Sequence, residues 1–192
     1  VGLFFASWFL HGWRHRLFRV TGVDFTWMLA ELCAKQGKRI YLLGAGKGVA
    51  QKCALVLQKK YPSLQIVGAQ EGIPKVVTKT SDVYDRQLCE KIIAVHPDVL
   101  LVAFGAPRQD LWIAQNAHRL PGVRIAVGVG GTFDYLAGVV PYAPKWIRDI
   151  GFEWTYRLMT QPYRWRRIVT AVVRFPLTVF WMSFRRRPES SQ

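Results

Sequence analysis

The stretch Arg39-Ile40-Tyr41-Leu42-Leu43-Gly44-Ala45-Gly46-Lys47-Gly48, continued by Val49 to Lys60, decides the fold. Its short apolar run from Arg39 to Leu43 reads as a buried strand. The glycines that follow read as a turn, and Val49 to Lys60 carries the spacing of a helix. Strand, glycine turn and helix in that order are the first half of a βαβ unit, so the rest of the chain is read for its repetition.

The repetition is there. Leu64 to Ala69 is the next strand, Asp82 to Val95 a helix, Val99 to Phe104 a buried strand, Gln109 to Leu120 a helix and Arg124 to Val129 another strand. Strands alternating with helices of this length predict a parallel sheet covered on both faces, an open, Rossmann-like α/β sandwich. Ahead of it, Gly2 to Leu10 reads as a helix, Trp13 to Arg19 as a basic loop, and a second helix runs from near Asp24 to Gln36, before Gly37. In such folds ligands gather at the carboxyl ends of the strands. Three loops fall there: Gly44 to Gly48, Gly105 to Gln109, and Gly128 to Asp134.

Composition sets the class of partner. The 192 residues are 51% hydrophobic and 14% aromatic, enough for a real core. Against 12 Asp and Glu stand 27 Lys and Arg, a formal net charge of +15, so anionic partners are expected. Cys33, Cys53 and Cys89 are odd in number and form no Cys-x-x-Cys pair, which suits reduced, packing thiols in a cytoplasm. No secretory signal is read, because Arg14 and Arg16 follow the apolar run from Val1 to Leu10 instead of preceding it. A start at Val1-Gly2 inside an apolar run is expected of the interior of a longer protein.

After Pro144 the character changes. Trp, Tyr and Arg mix closely, and from Lys145 onward ten Lys or Arg face only Asp149, Glu153 and Glu189. The expected division is therefore an α/β nucleotide-sugar-binding core over 1–144 and a helical, basic and aromatic membrane-associating appendage over 145–192. Ile168 to Phe184 is mostly apolar, but Arg174 and Pro176 interrupt it and it falls short of the roughly 20 residues a span needs. An in-plane amphipathic helix is expected instead, with Trp165 and Trp181 at headgroup depth. Arg164, Arg166, Arg167 and Arg185 to Arg187 would meet lipid phosphates, at about 1 kcal/mol per basic residue.

Each strand-end loop carries a chemical option. In Gly44-Ala45-Gly46-Lys47-Gly48 the glycines Gly44, Gly46 and Gly48 let backbone N–H groups approach a phosphate at a helix N-terminus. The pattern is G-x-G-x-G, neither a dinucleotide fingerprint nor a P-loop, so a plain tight turn stays open. Gln109, in Gly105-Ala106-Pro107-Arg108-Gln109-Asp110-Leu111-Trp112, can offer donor and acceptor to a sugar or base, or sit in a helix-capping loop. Gly130 and Gly131 allow close ligand approach, and Asp134 can hold a sugar hydroxyl or cap a helix. His11, His15, His96 and His118 show no metal-ligand spacing.

Taken in order, these motifs resemble the WecG/TagA/CpsF proteins, glycosyltransferase family 26. The matching stretches are Arg19 to Asp24, Leu42 to Gly46, Tyr61-Pro62 with Ile66 to Gly68, Pro97 to Leu100 and Gly105 to Trp112. They continue with Gly130 to Asp134 and Ala137-Gly138, Ala143-Pro144 with Trp146, and Glu153 to Leu158. The resemblance covers nearly the whole chain. It implies inverting transfer of N-acetylmannosamine, its uronic acid or glucose from UDP to a sugar on a polyprenyl pyrophosphate, for bacterial cell-surface polysaccharides such as teichoic acid and exopolysaccharide.

The resemblance also implies roles. Arg19 and Gln109 would lie against donor or acceptor sugar, and Arg157, Arg164 and Arg167 would close over the site and hold a pyrophosphate. No metal or other cofactor is expected, and UDP-sugar enters as substrate. The general base would be an Asp in an Asp-Gly pair just before Val1, so these residues alone are expected to lack it. Where family members often carry Arg before Ala143-Pro144, this chain has Tyr142. The implied location is the cytoplasmic face of the plasma membrane, peripherally bound, and apolar surface on the tail can pair subunits into a homo-oligomer. A basic nucleic-acid-binding module and an inactive nucleotide-binding scaffold are the competing readings. The first is disfavoured because the aromatic and basic residues adjoin an apolar segment and not an exposed sheet.

Overall fold

The structure is a computed structural model and describes residues 20–72, 81–144, 147, 153–160, 165 and 169–185. Val20–Val140 forms one compact unit, and the described residues from Pro141 onward belong to a second. The helix expected at Gly2 to Leu10 and the loop after it lie outside the described residues.

The first unit opens with helix α1, Gly22–Gln36. Its cap is Thr21, three residues earlier than the sequence suggests: the Thr21 Oγ1 accepts the Asp24 N–H at 3.1 Å. In return the Thr21 hydroxyl donates to the Asp24 carboxylate at 2.6 Å. Asp24 is thus the third-residue partner of a reciprocal cap, not the cap itself. Gly37, in the left-handed conformation, ends the helix as expected.

Strand β1 is Arg39–Gly44 and helix α2 is Val49–Lys60. Strand β2 is Gln65–Gln70 and helix α3 is Ser81–Ala94. Strand β3, Val99–Ala103, leads to helix α4, Arg108–Asn116, whose end tightens into a 3-10 turn at Ala117–Arg119. Strand β4 is Ile125–Gly128 and the short helix α5 is Thr132–Leu136. These are the elements read from the sequence, moved at their ends by a residue or two, with α4 shorter than expected.

The four strands form one sheet in the order β2-β1-β3-β4, and all three pairings are parallel. Residues on both faces of β1 and β3 are buried, as a sheet covered on both sides requires. On one face Tyr41, Leu43, Leu100 and Val102 pack with Leu88, Cys89 and Ile92 of α3 and Trp112 of α4. Between those helices the Trp112 indole donates to the Asp85 carboxylate at 2.9 Å, and the Asn116 amide donates to the Trp112 carbonyl at 3.0 Å. Both buried polar side chains are thereby satisfied.

The strand order reverses direction after β2: the chain passes from β1 outward to β2, then back across to β3. The loops leaving β1 and β3 therefore diverge, and a crevice opens between them at the carboxyl edge of the sheet. That is the place where a fold of this class takes a ligand.

In the second unit, helix α6 is Glu153–Thr160, a π-helical turn covers Thr170–Arg174, and helix α7 is Phe175–Arg185. No helix among the described residues is long and apolar enough to cross a membrane.

Candidate active site

The crevice between β1 and β3 is built first from backbone. Gly44 pairs with Ala103 at the last register position, and the Ala45 N–H donates to the Ala103 carbonyl at 3.1 Å. Gly44 has φ +117°, and a Cβ there would stand 2.7 Å from the Ala103 backbone, so only glycine allows this approach. Ala45 and Gly48 also have positive φ, at 64° and 72°, which turns the loop back on itself.

The resulting turn presents donors without acceptors. Gly48 caps α2 but has no side chain to satisfy the first turn. No hydrogen bond among the described residues uses the N–H of Gly46, Lys47 or Gly48. Three successive N–H groups that no described residue engages, at the positive end of a twelve-residue helix, suit phosphate oxygens. The exposed Lys47 adds a full positive charge at the same turn.

Gln109 does something the sequence did not disclose. It is 7% exposed, and its Oε1 accepts the Gly130 N–H at 2.9 Å, strapping the loop after β3 to the loop after β4. A Cβ on Gly128 would collide with the Gln109 amide, so that glycine makes room for the strap. The acceptor of Gln109 and the donor of Gly130 are engaged with each other in this state. Asp134 lies in the first turn of α5, and its backbone carbonyl accepts from Val139 and Val140 N–H at 2.9 and 3.1 Å.

The start of α1 comes to the same place. A Cβ on Gly22 would approach the Thr132 Oγ1 to 2.6 Å, and that hydroxyl donates to the Val129 carbonyl at 2.6 Å. The loop after β2 joins too, through the Gly72 N–H donating to the Ala45 carbonyl at 3.0 Å. Of the motifs quoted above, Thr21 to Asp24, Leu42 to Gly46, Gly105 to Trp112 and Gly130 to Asp134 thus converge on one edge of the sheet. Tyr61-Pro62 and Pro97-Asp98 fall at the opposite edge, where the Asp98 carboxylate accepts the Arg39 N–H at 3.0 Å and anchors the start of β1.

The model of the Glycosyl transferase WecG/TagA/CpsF family matches residues 1–189. The chain belongs to this family. It is 35% identical over 162 residues to the N-acetylglucosaminyldiphosphoundecaprenol N-acetyl-beta-D-mannosaminyltransferase of Bacillus subtilis, a match covering 84% of this chain and 59% of that protein. To the protein of the same name from Bacillus spizizenii it is 34% identical over 152 residues, covering 79% of this chain and 56% of that one. The chain therefore spans less than two thirds of the length of these curated relatives.

The remaining expected residues divide by what can be described. Gly44, Gly46, Gly48, Gln109, Gly130, Gly131 and Asp134 fall at the carboxyl ends of β1, β3 and β4, in the turns there or the first turns of α4 and α5. Arg19, Arg164 and Arg167 lie outside the described residues, as does the side chain of Arg157, whose backbone belongs to α6. Among the described residues no group of His, Cys, Asp or Glu side chains gathers as metal ligands. The three cysteines are free and buried, and burial alone pushes the Cys53 thiol up to about 12. They serve packing, not nucleophilic chemistry.

The sequence reading missed Gly72 and Thr132. Each tightens the crevice through one backbone or hydroxyl contact, and a glycine two residues past the end of β2 was the only signal for the first.

Proposed function

We propose that this chain is the greater part of an inverting glycosyltransferase, which moves an N-acetylmannosamine-type sugar or hexose from a UDP-sugar to a polyprenyl-pyrophosphate-linked acceptor. The product would feed synthesis of a bacterial cell-surface polysaccharide. The observation that carries the reading is the set of N–H groups at Gly46, Lys47 and Gly48, which no described residue engages and which stand at the switch point of the sheet. Family membership and the names of the two relatives supply the chemistry for which a diphosphate cradle is needed.

In this reading the leaving diphosphate is neutralised without a metal ion by the glycine-loop N–H groups and Lys47. Gln109 holds the loops after β3 and β4 at a fixed separation, against the donor or acceptor sugar. The part after Pro144 rests on the cytoplasmic face of the membrane, where its acceptor resides. Exposed Leu177, Phe180 and Trp181 on α7 support that placement.

Titration calorimetry tests the donor assignment. UDP is expected to bind at least about tenfold more tightly than NAD, a difference of about 1.4 kcal/mol. NAD binding the more tightly would remove the assignment.

A further inference from the structure

The glycine turn has a neighbour that neither the motifs nor the family resemblance singled out. Strand β2 ends at Gln70, which is in register with Leu43, so Glu71 emerges level with Gly44 at the carboxyl edge of the sheet, on the β2 side of the glycine turn. The chain is held there: the Gly72 N–H donates to the Ala45 carbonyl at 3.0 Å, and a Cβ on Gly72 would meet that same oxygen at 3.1 Å. The side chain before it is already committed, since the Gln70 Oε1 accepts the Tyr41 hydroxyl at 3.1 Å. Glu71 is exposed, and no hydrogen bond or ion pair ties it to a described residue.

A carboxylate that no described residue engages, beside a cradle built for phosphate, works against anion binding. It becomes favourable only where it meets hydroxyl donors. The strand order supplies such a partner, because β2 lies one strand, about 4.8 Å, to one side of the phosphate turn, while β3 and β4 lie to the other. A nucleoside diphosphate-sugar is built in the same sequence, with ribose on one side of the diphosphate and the transferred sugar on the other. In dinucleotide-binding sheets of related topology, an acidic residue past the glycine turn takes a ribose hydroxyl.

We propose that Glu71 binds the ribose hydroxyls of the donor nucleotide, fixing its direction so that the nucleoside points towards β2 and the sugar towards the loops after β3 and β4. This rests on the nucleotide-sugar reading above and adds the residue that tells a ribonucleotide from its deoxy counterpart.

The test is calorimetry of the full chain with UDP, 2′-deoxy-UDP and inorganic pyrophosphate, repeated on Glu71→Ala and Glu71→Gln. An exposed side chain of this kind can be replaced without loss of fold. The unaltered chain is expected to bind UDP about 10- to 100-fold more tightly than 2′-deoxy-UDP, the range for a charge-assisted hydrogen bond. Glu71→Ala is expected to bring the two within about threefold of each other while pyrophosphate binding holds or strengthens, and Glu71→Gln to fall between. Discrimination that is absent in the unaltered chain, or that survives in Glu71→Ala, overturns the role of Glu71 and leaves the donor assignment standing. Equal weakening of pyrophosphate and UDP in Glu71→Ala overturns it too, since the residue would then act on the cradle and not on ribose. Failure of the unaltered chain to bind UDP at all removes the donor assignment, and this proposal with it.

Discussion

Strand β3 and helix α7 are both strongly apolar, and they do opposite things with it. Val99 to Ala103 are buried along their whole length, with Leu101 fully buried between the two helical layers. On α7, Leu177 and Trp181 are 61% and 65% exposed, and Phe175, Phe180 and Met182 are exposed as well. Composition is thus no guide to destination. The β3 residues alternate across a sheet whose two faces are both covered, whereas α7 carries more apolar surface than its surroundings cover. At about 100° per residue, Leu177, Phe180 and Trp181 share an arc of roughly 100°, with Phe175 and Met182 on the far side. That is broader than the single stripe expected of an in-plane helix, and its densest side is the one the proposed membrane contact would use.

The largest effect that sharpens this comparison is a matched pair of truncations. Leu101→Ala removes a side chain from a closed core and is expected to cost about 2–5 kcal/mol in denaturant unfolding. Leu177→Ala removes one already in water and should stay within about 0.5 kcal/mol. A similar cost at both positions would break the comparison, by showing that α7 is part of a core in solution.

A second experiment moves the same surface into lipid. The double substitution Leu177→Ser, Trp181→Ser is expected to weaken partition onto anionic liposomes at least tenfold, because burying one such side chain is worth about 1.5–3 kcal/mol. The thermal midpoint should be unchanged. Unaltered liposome binding would move the proposed membrane contact off α7, and a lowered midpoint would again make the helix a core element.

The same contrast explains what could be read from the sequence and what could not. Strands β1 and β3 announce themselves because burial on both faces leaves a continuous apolar run, and Gly37 marks the end of α1 because a left-handed residue is needed there. Strand β2, at the sheet edge, is only half buried, so its limits were read a residue early. The glycine turns were visible as residue types. Their mutual placement was not, since it depends on side-chain direction across long separations: Gln109 reaches Gly130 over 21 positions, and nothing local marks the pair. Glu71 was passed over for a related reason. An isolated acidic residue after a strand has no meaning until strand order sets it beside the turn at Gly44.

The smallest effect probes how dry the buried side of the comparison is. Cys53, in α2, has no exposed surface, and burial raises its thiol from 9.0 to about 12. The folded state therefore holds this proton more tightly than the unfolded chain does. The corresponding stability is fully present below about pH 9 and is lost as pH rises from there through about 12, at roughly 1.4 kcal/mol per pH unit. Cys33, Cys89 and Tyr41 are raised by burial as well, so part of any alkaline decline belongs to them. Cys53→Ala should accordingly flatten the fall in unfolding free energy between pH 9 and 10.5 without abolishing it, whatever the substitution costs at pH 7. Identical slopes in the two proteins would mean that water reaches the thiol, and the α2 side of the sheet would then be less well sealed than the packing around Leu57 and Ala50 indicates.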